Sequence, residues 1–290
     1  WVAWAVGDTR YGAVRLTGRF HPTPGATEAL LVVHGLGGHI DSHYMVAAAR
    51  AAAHVGMATL ALNLRGAPRD GEDFYHAGLT ADVETALASK ELAGFERVHL
   101  LGYSLGGHIV LRWAARPTDP RVGAVAAVCP PIDLAAGAEA IDEPGRAFYR
   151  RYVLLNLLEM FQAFAARRPG EAKLPVEEAR RITSLVDWDD RVVAPHHGFE
   201  SARHYYRQAT VAPLLDRLAV PALVVSSEAD PMVAPRTTQE LLARAPDVDD
   251  RWTPHGGHVG FPHHLDLDED GPAGLEHQIV AWLRRTRAGG

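Results

Sequence analysis

The sequence predicts an α/β protein with a mostly parallel central sheet flanked by helices, and two patterns predict it. Apolar runs of strand length recur at 29–34, 57–64, 97–103, 122–129 and 221–227. Strands that are apolar nearly throughout are buried on both faces, as they are when helices cover a parallel sheet. Between these runs lie segments whose apolar residues recur three and four apart. They are 42–54, 79–92 (Leu79, Val83, Ala86 and Leu87 on one face) and the terminal Leu275, Ile279, Leu283. That is the helical period, and strands alternating with helices imply parallel pairing.

The remaining elements follow in order. Residues 1–20 alternate around Gly7-Asp8 and Gly12, which suggests a short antiparallel hairpin. A short strand-like piece near Trp252 precedes the terminal helix. Between Asp133 and Val220 the alternation stops. Leu154, Leu157, Leu158, Phe161 and Phe164 form a helical apolar stripe there, and Ser201 to Gln208 reads as a further helix. The organisation is therefore a core of residues 1–133 and 220–290, with a mainly helical insertion, 134–219, between late strands.

Composition bounds the function. A chain of 290 residues with 47% hydrophobic and 22% charged content is ordinary for a globular protein. A net charge of −6 and a pI near 6.2 argue against nucleic acid as a partner. No uncharged stretch is long enough for a transmembrane helix, and no signal peptide is visible. The single cysteine, Cys129, cannot form an internal disulfide, and this fits a cytoplasmic location.

The most informative residues are Gly102-Tyr103-Ser104-Leu105-Gly106-Gly107. This G-x-S-x-G follows an apolar strand and opens a helix with Leu105, Ile109 and Trp113 on one face. A tight strand-to-helix turn lifts a serine hydroxyl above a sheet, and small residues are needed where backbones meet. A glycine-rich helix start that only packs closely is the plainer alternative.

A serine hydroxyl is a weak nucleophile at neutral pH. It needs a base, a group that orients the base, and donors for the developing oxyanion. His34-Gly35-Leu36-Gly37-Gly38 ends the first apolar run. A glycine loop there can offer the backbone N–H of Leu36, and the residue after the serine offers that of Leu105. The strand 221–227 ends at Glu228-Ala229-Asp230, on the rim where open α/β sheets bind ligands. Asp230 is the acid of choice, with Asp133 and Glu228 as rivals. His258, in Pro254-His255-Gly256-Gly257-His258-Val259-Gly260-Phe261, is the favoured base and His255 its competitor.

The order Ser104, Asp230, His258 is that of the α/β-hydrolases, and the chain resembles the YheT-like branch of that superfamily. This branch is related to medium-chain fatty-acid ester hydrolases and to ABHD lipases. The resemblance rests on HGLGG at His34, LNLRG ending at Gly66, YHAGLTAD from Tyr75, GYSLGG and RRYVLLNLL from Arg150. It continues in HHGFESARHYYRQAT from His196, EADPMVAP from Glu228 and HGGHVGF from His255. It implies an α/β-hydrolase fold with a helical lid insertion and a triad of Ser104, Asp230 and His258. Trp188-Asp189 departs from the family's usual Phe-Asp, and the residues after Phe261 match poorly.

The expected activity is hydrolysis of small to medium-chain acyl esters through an acyl-enzyme. Two other outcomes stay open: an acyltransferase with the same triad, and a non-enzymatic ligand-binding descendant, which would be expected to lose a triad member. Trp188, Phe199, Tyr205 and Phe261 are candidate walls of an acyl pocket. The apolar insertion helix raises transient contact with a lipid surface. The chemistry requires no cofactor. His196-His197 and His263-His264, the latter near Asp266 and Asp268, match no zinc spacing, so no metal is expected. The spacing His263 to Asp268, proposed for acyl transfer in ABHD relatives, is common by chance in a chain with this many histidines and aspartates.

Overall fold

The apolar runs become neighbours in one sheet. The computed structural model describes residues 2–5 and 12–286. In chain order the elements are β1 (Val2–Ala5), β2 (Val14–His21), β3 (Glu28–Val33), α1 (His43–His54), β4 (Ala58–Asn63), α2 (Ala81–Leu87), β5 (Arg97–Tyr103), α3 (Leu105–Ala114) and β6 (Val122–Val128). The insertion follows: α4 (Leu134–Asp142), α5 (Ala147–Arg167), α6 (Val176–Ala179), α7 (Leu185–Trp188), a π-helical turn at Asp189–Val193, α8 (Ala194–His197) and α9 (Ala202–Ala209). The chain returns through β7 (Ala222–Ser227), α10 (Pro235–Leu242), β8 (Val248–Thr253) and α11 (Leu275–Arg285).

The eight-stranded sheet has the order β1-β2-β4-β3-β5-β6-β7-β8. From β4 to β8 every pairing is parallel, whereas β1 and β2 join antiparallel at one edge. The N-terminal hairpin thus forms as expected, with Ala5 opposite Val14; its turn lies outside the described residues.

Strand alternation divides the interior into two layers. Leu30 and Val32 of β3 pack with α1 and α11 on one face. Leu31 and Val33 pack on the other with α2, α3 and the insertion, whose Leu157, Phe161 and Phe164 belong to the same apolar cluster. The stripe read on 154–164 is therefore core on one side of α5. The helix expected over 79–92 ends at Leu87. Arg121 takes the carbonyls of both Leu87 (2.9 Å) and Leu92, so the chain closes round a guanidinium rather than continuing the helix.

A buried ionic network ties the insertion to the sheet. Arg65, just beyond β4, holds Asp82 through Nε (2.9 Å) and Nη2 (2.6 Å), and Asp73 at 3.3 Å. Asp73 in turn meets His196 Nε2 of α8 at 2.8 Å, and that imidazole stacks on Phe74. Breaking such a network from one side leaves an uncompensated buried charge, which costs about 3–5 kcal/mol.

Candidate active site

The ends of β3, β5, β7 and β8 converge on one point. At β5–α3, Ser104 sits at φ 50°, ψ −119°, a conformation unusual for a residue with a side chain. The flanking glycines are forced by close approach. A Cβ on Gly102 would overlap the carbonyl of Gly106, and one on Gly106 would overlap those of Val33 and His34. Ser104 N–H donates to Val128 O (2.8 Å), which ties the turn to β6.

His258 stands in the loop after β8. Its Nε2 is 2.7 Å from Ser104 Oγ, and its Nδ1 is 2.9 Å from Asp230 Oδ2 and 3.1 Å from Oδ1. Asp230, just beyond β7, also accepts the N–H groups of Met232 (2.7 Å) and Val233 (3.0 Å). Burial alone would raise this carboxyl. The bonds from His258 and the two amides outweigh burial and hold it below the usual carboxylate range. The rivals lie elsewhere. Asp133 caps α4 by accepting from Ala136 N–H (3.1 Å), and Glu228 and His255 are exposed.

The loop after β3 supplies the facing wall. His34 Nε2 accepts from Leu64 N–H (3.1 Å), so Nδ1 carries the proton and donates to Gly35 O (2.8 Å). Burial lowers its pKa to about 4, so it is a neutral ring that braces the loop. Tyr75 Oη accepts Gly37 N–H at 2.8 Å. Gly37 has φ 71°, and a Cβ there would stand 2.8 Å from that of Asn156 on α5, so the insertion lies directly against this loop. The backbone N–H groups of Leu36 and Leu105 have no hydrogen-bond partner among the described residues.

Ser104, Leu36, Leu105 and His258 line one cavity, about 760 Å³ of space when the open solvent at its mouth is included. Its other walls come from the insertion and from the segment after β4, and include Tyr75, His76, Leu157, Asp189, Tyr205 and Tyr206. Of the expected pocket residues, Tyr205 lines it and three do not. Trp188 turns away to pack on Phe161. Phe199 sits behind the wall, edge-on to His76 and tilted against Tyr205. Phe261 lies against Gly256, whose φ of 138° and closeness to that ring (2.9 Å from an added Cβ) make it a support of the His258 loop. Asp189 and Tyr206 were missed by the sequence reading. Tyr206 lies in a stretch read as a family signature and Asp189 in the Trp188-Asp189 pair read as a departure from the family, and no periodicity marks a polar side chain that turns inward from a π-helical turn.

Among the described residues one group could hold a metal: Cys129, Asp230 and His258 place ligand atoms within 4.8 Å of one another. Burial and the Asp230 charge push the Cys129 thiol well above its usual range, which disfavours the thiolate that a metal needs. His263 and His264 are exposed and enter no such group. No helix among the described residues is long and apolar enough to cross a membrane.

Residues 28–265 match the alpha/beta hydrolase fold family. The chain is 32% identical over 264 residues to "Putative esterase YheT" of Escherichia coli (strain K12), covering 88% of this chain and 76% of that one. It is 24% identical to "Medium-chain fatty acid ethyl ester synthase/esterase 2" of Saccharomyces cerevisiae, over 83% of this chain and 58% of that one, so it spans little more than half of that relative. Among solved structures, the Pyrococcus furiosus esterase Pf2001 superposes with a TM-score of 0.58 at 16% identity, over 89% of this chain and 84% of that one, a likeness of fold.

Proposed function

Because the chain belongs to the α/β-hydrolase fold family, we propose that it is a serine-dependent carboxylic ester hydrolase acting on small to medium-chain acyl esters. The observation that carries this reading is the unbroken hydrogen-bonded line from Asp230 through His258 to Ser104 Oγ at a cavity with apolar walls. In this mechanism Ser104 Oγ attacks the ester carbonyl as His258 Nε2 takes its proton. Asp230 holds the tautomer and stabilises the imidazolium. The N–H groups of Leu36 and Leu105 receive the oxyanion, and one such donor is worth about 10²–10³ in kcat. His258 then gives the proton to the departing alcohol, forming the acyl-enzyme. A water activated by His258 attacks the acyl carbonyl, and collapse of that second intermediate returns the proton to Ser104 and frees the acid.

The test is hydrolysis of p-nitrophenyl esters from acetyl to palmitoyl by wild type and Ser104→Ala. We expect turnover highest at short to medium chains and a loss of about 10⁴ or more in the variant. Equal rates in the two proteins would overturn the reading. A second reading, acyl transfer to an alcohol, is favoured by the name of the yeast relative, an ester synthase/esterase. Ester product accumulating when ethanol is added to the same assay would establish it.

The helical insertion (134–219) serves in this reading as a lid. α5 presents Leu157 to the cavity, while Phe148, Tyr152 and Leu155 face outward, exposed by 79%, 54% and 48%. With Arg151 exposed beside them, these side chains suit transient contact with a lipid surface.

A further inference from the structure

The cavity wall is apolar over much of its area, and most of its polar atoms already have partners. Tyr75 Oη accepts Gly37 N–H (2.8 Å), Tyr205 Oη accepts Ala77 N–H (2.9 Å), and His76 Nδ1 accepts Gly78 N–H (3.1 Å). Asp189 is different. It is the one carboxylate among the lining residues, it is only 9% exposed, and its neighbours in the wall include Leu185 and Val193. Its Oδ2 accepts from Tyr206 Oη at 2.7 Å, whereas its Oδ1 has no hydrogen-bond partner among the described residues. That oxygen is not among the fully buried unpaired atoms, and Asp189 lines the cavity, so it is an acceptor open to a ligand there. Asp189 also opens the π-helical turn, and such turns recur at functional positions.

We infer that Asp189 is a specificity-determining residue whose Oδ1 takes a hydroxyl on the substrate's acyl chain, so that the cavity prefers esters of hydroxylated medium-chain acids to those of the plain acids. The inference rests on the ester-hydrolase reading above. The hydroxyl belongs to the acyl side because of where the wall stands. Asp189 and Tyr206 come from the insertion, whereas Ser104 and His258 stand on loops at the strand ends of the core. The acyl chain stays in this enclosure through both chemical steps, whereas the alcohol leaves past His258, which protonates it. Burial raises the Asp189 carboxyl to about 7, against the bond from Tyr206 and with help from the nearby Asp142 charge. Near neutral pH it is therefore partly a carboxylic acid, able both to donate to a hydroxyl and to accept from one.

The experiment compares kcat/KM for p-nitrophenyl octanoate with that for octanoyl esters hydroxylated at successive carbons, and ethyl octanoate with glyceryl octanoate. Wild type should prefer at least one hydroxyacyl ester by about tenfold, the worth of one net hydrogen bond. Asp189→Leu should erase that preference while still turning over the plain ester, and Asp189→Asn, whose amide can donate and accept, should keep most of it. The inference is overturned if wild type has no preference within the acyl series, if Asp189→Leu retains it, or if the preference appears only with the glyceryl ester. The first and third outcomes need no variant to fold. Should wild type hydrolyse no ester, the ester-hydrolase reading fails by itself. Calorimetric binding of hydroxyoctanoic against octanoic acid to wild type then decides the inference: tighter binding of the hydroxy acid supports it, and equal binding ends it.

Discussion

Asp230, behind His258, and Asp189, in the cavity wall, are both buried aspartates, and their surroundings drive them in opposite directions. Asp230 stands at the end of β7, where His258 and the amides of Met232 and Val233 converge on it and hold its carboxyl low. Asp189 stands in the insertion with one hydroxyl from Tyr206 as partner, and burial pushes it up to about 7. The sheet edge offers several N–H donors to one carboxylate because a strand end and the turn after it leave amides free. In the insertion the free amides at helix starts go to other carboxylates, those of Leu185 and Val186 to Asp142 and that of Ala202 to Asp190, which leaves Asp189 poorly compensated. The end of β7 is thus built to hold a charge and the turn at Asp189 to hold a neutral polar group.

The sharpest way to break the comparison is Asp230→Asn. It keeps the shape and removes the charge, so the imidazole loses both its orienting acceptor and its counter-charge. We expect kcat for a p-nitrophenyl ester to fall by about 10⁴, with the melting temperature little changed. A variant that retained most of its activity would mean that another carboxylate serves, and Asp133 and Glu228 would return as candidates.

The two regions were also unequally legible in the sequence. The sheet could be read closely because buried parallel strands are apolar throughout, and the expected and observed bounds of β3 to β7 differ by a residue at most at each end. Ser104, Asp230 and His258 were legible because each sits where a strand stops, a position marked by glycine or a turn residue. The insertion was legible as helical but not as a wall. Which side of α5 faces inward depends on packing against Phe74 and the loop at Gly37, contacts remote in sequence. Such contacts placed Asp189 and Tyr206 in the wall, where neither was expected, and kept Trp188 and Phe199 out of it. Several motif residues of the family resemblance, Arg65, Asp82 and His196, proved to belong to the buried ionic network, a structural use that local spacing does not reveal.

A smaller effect sharpens the contrast between the aspartates. Because the folded-state value of Asp189 is raised, native protein binds its proton more tightly than unfolded chain does. The associated stability is fully present below the ordinary value of 3.8 and is lost as pH rises through about 7. Across that window the slope is about 1.4 kcal/mol per pH unit. Asp230 has the opposite sign: its contribution is present above 3.8 and is lost as pH falls below it. Asp189→Asn carries no titrating group, so its stability relative to wild type should improve by a few kcal/mol between pH 4 and 7. Urea denaturation of both proteins across that range measures the difference. A gap that does not change with pH would show that Asp189 ionises normally.

The smallest effect belongs to the outward side of the insertion. Phe148, Tyr152 and Leu155 recur at helical spacing on α5 and are exposed, so they contribute little to the folded state. Replacing all three with serine should shift stability by no more than about 0.5 kcal/mol for each, and should leave hydrolysis of p-nitrophenyl acetate in solution unchanged. If the stripe meets lipid, the triple variant should lose sedimentation with phosphatidylserine-containing vesicles and turn over vesicle-borne esters more slowly. Exposed Arg151 should make the binding of wild type weaken as salt rises. Undiminished sedimentation by the triple variant would remove the lipid role from α5. The helix would then act through its inner side alone, as the wall formed by Leu157 and the prop that Asn156 sets against Gly37.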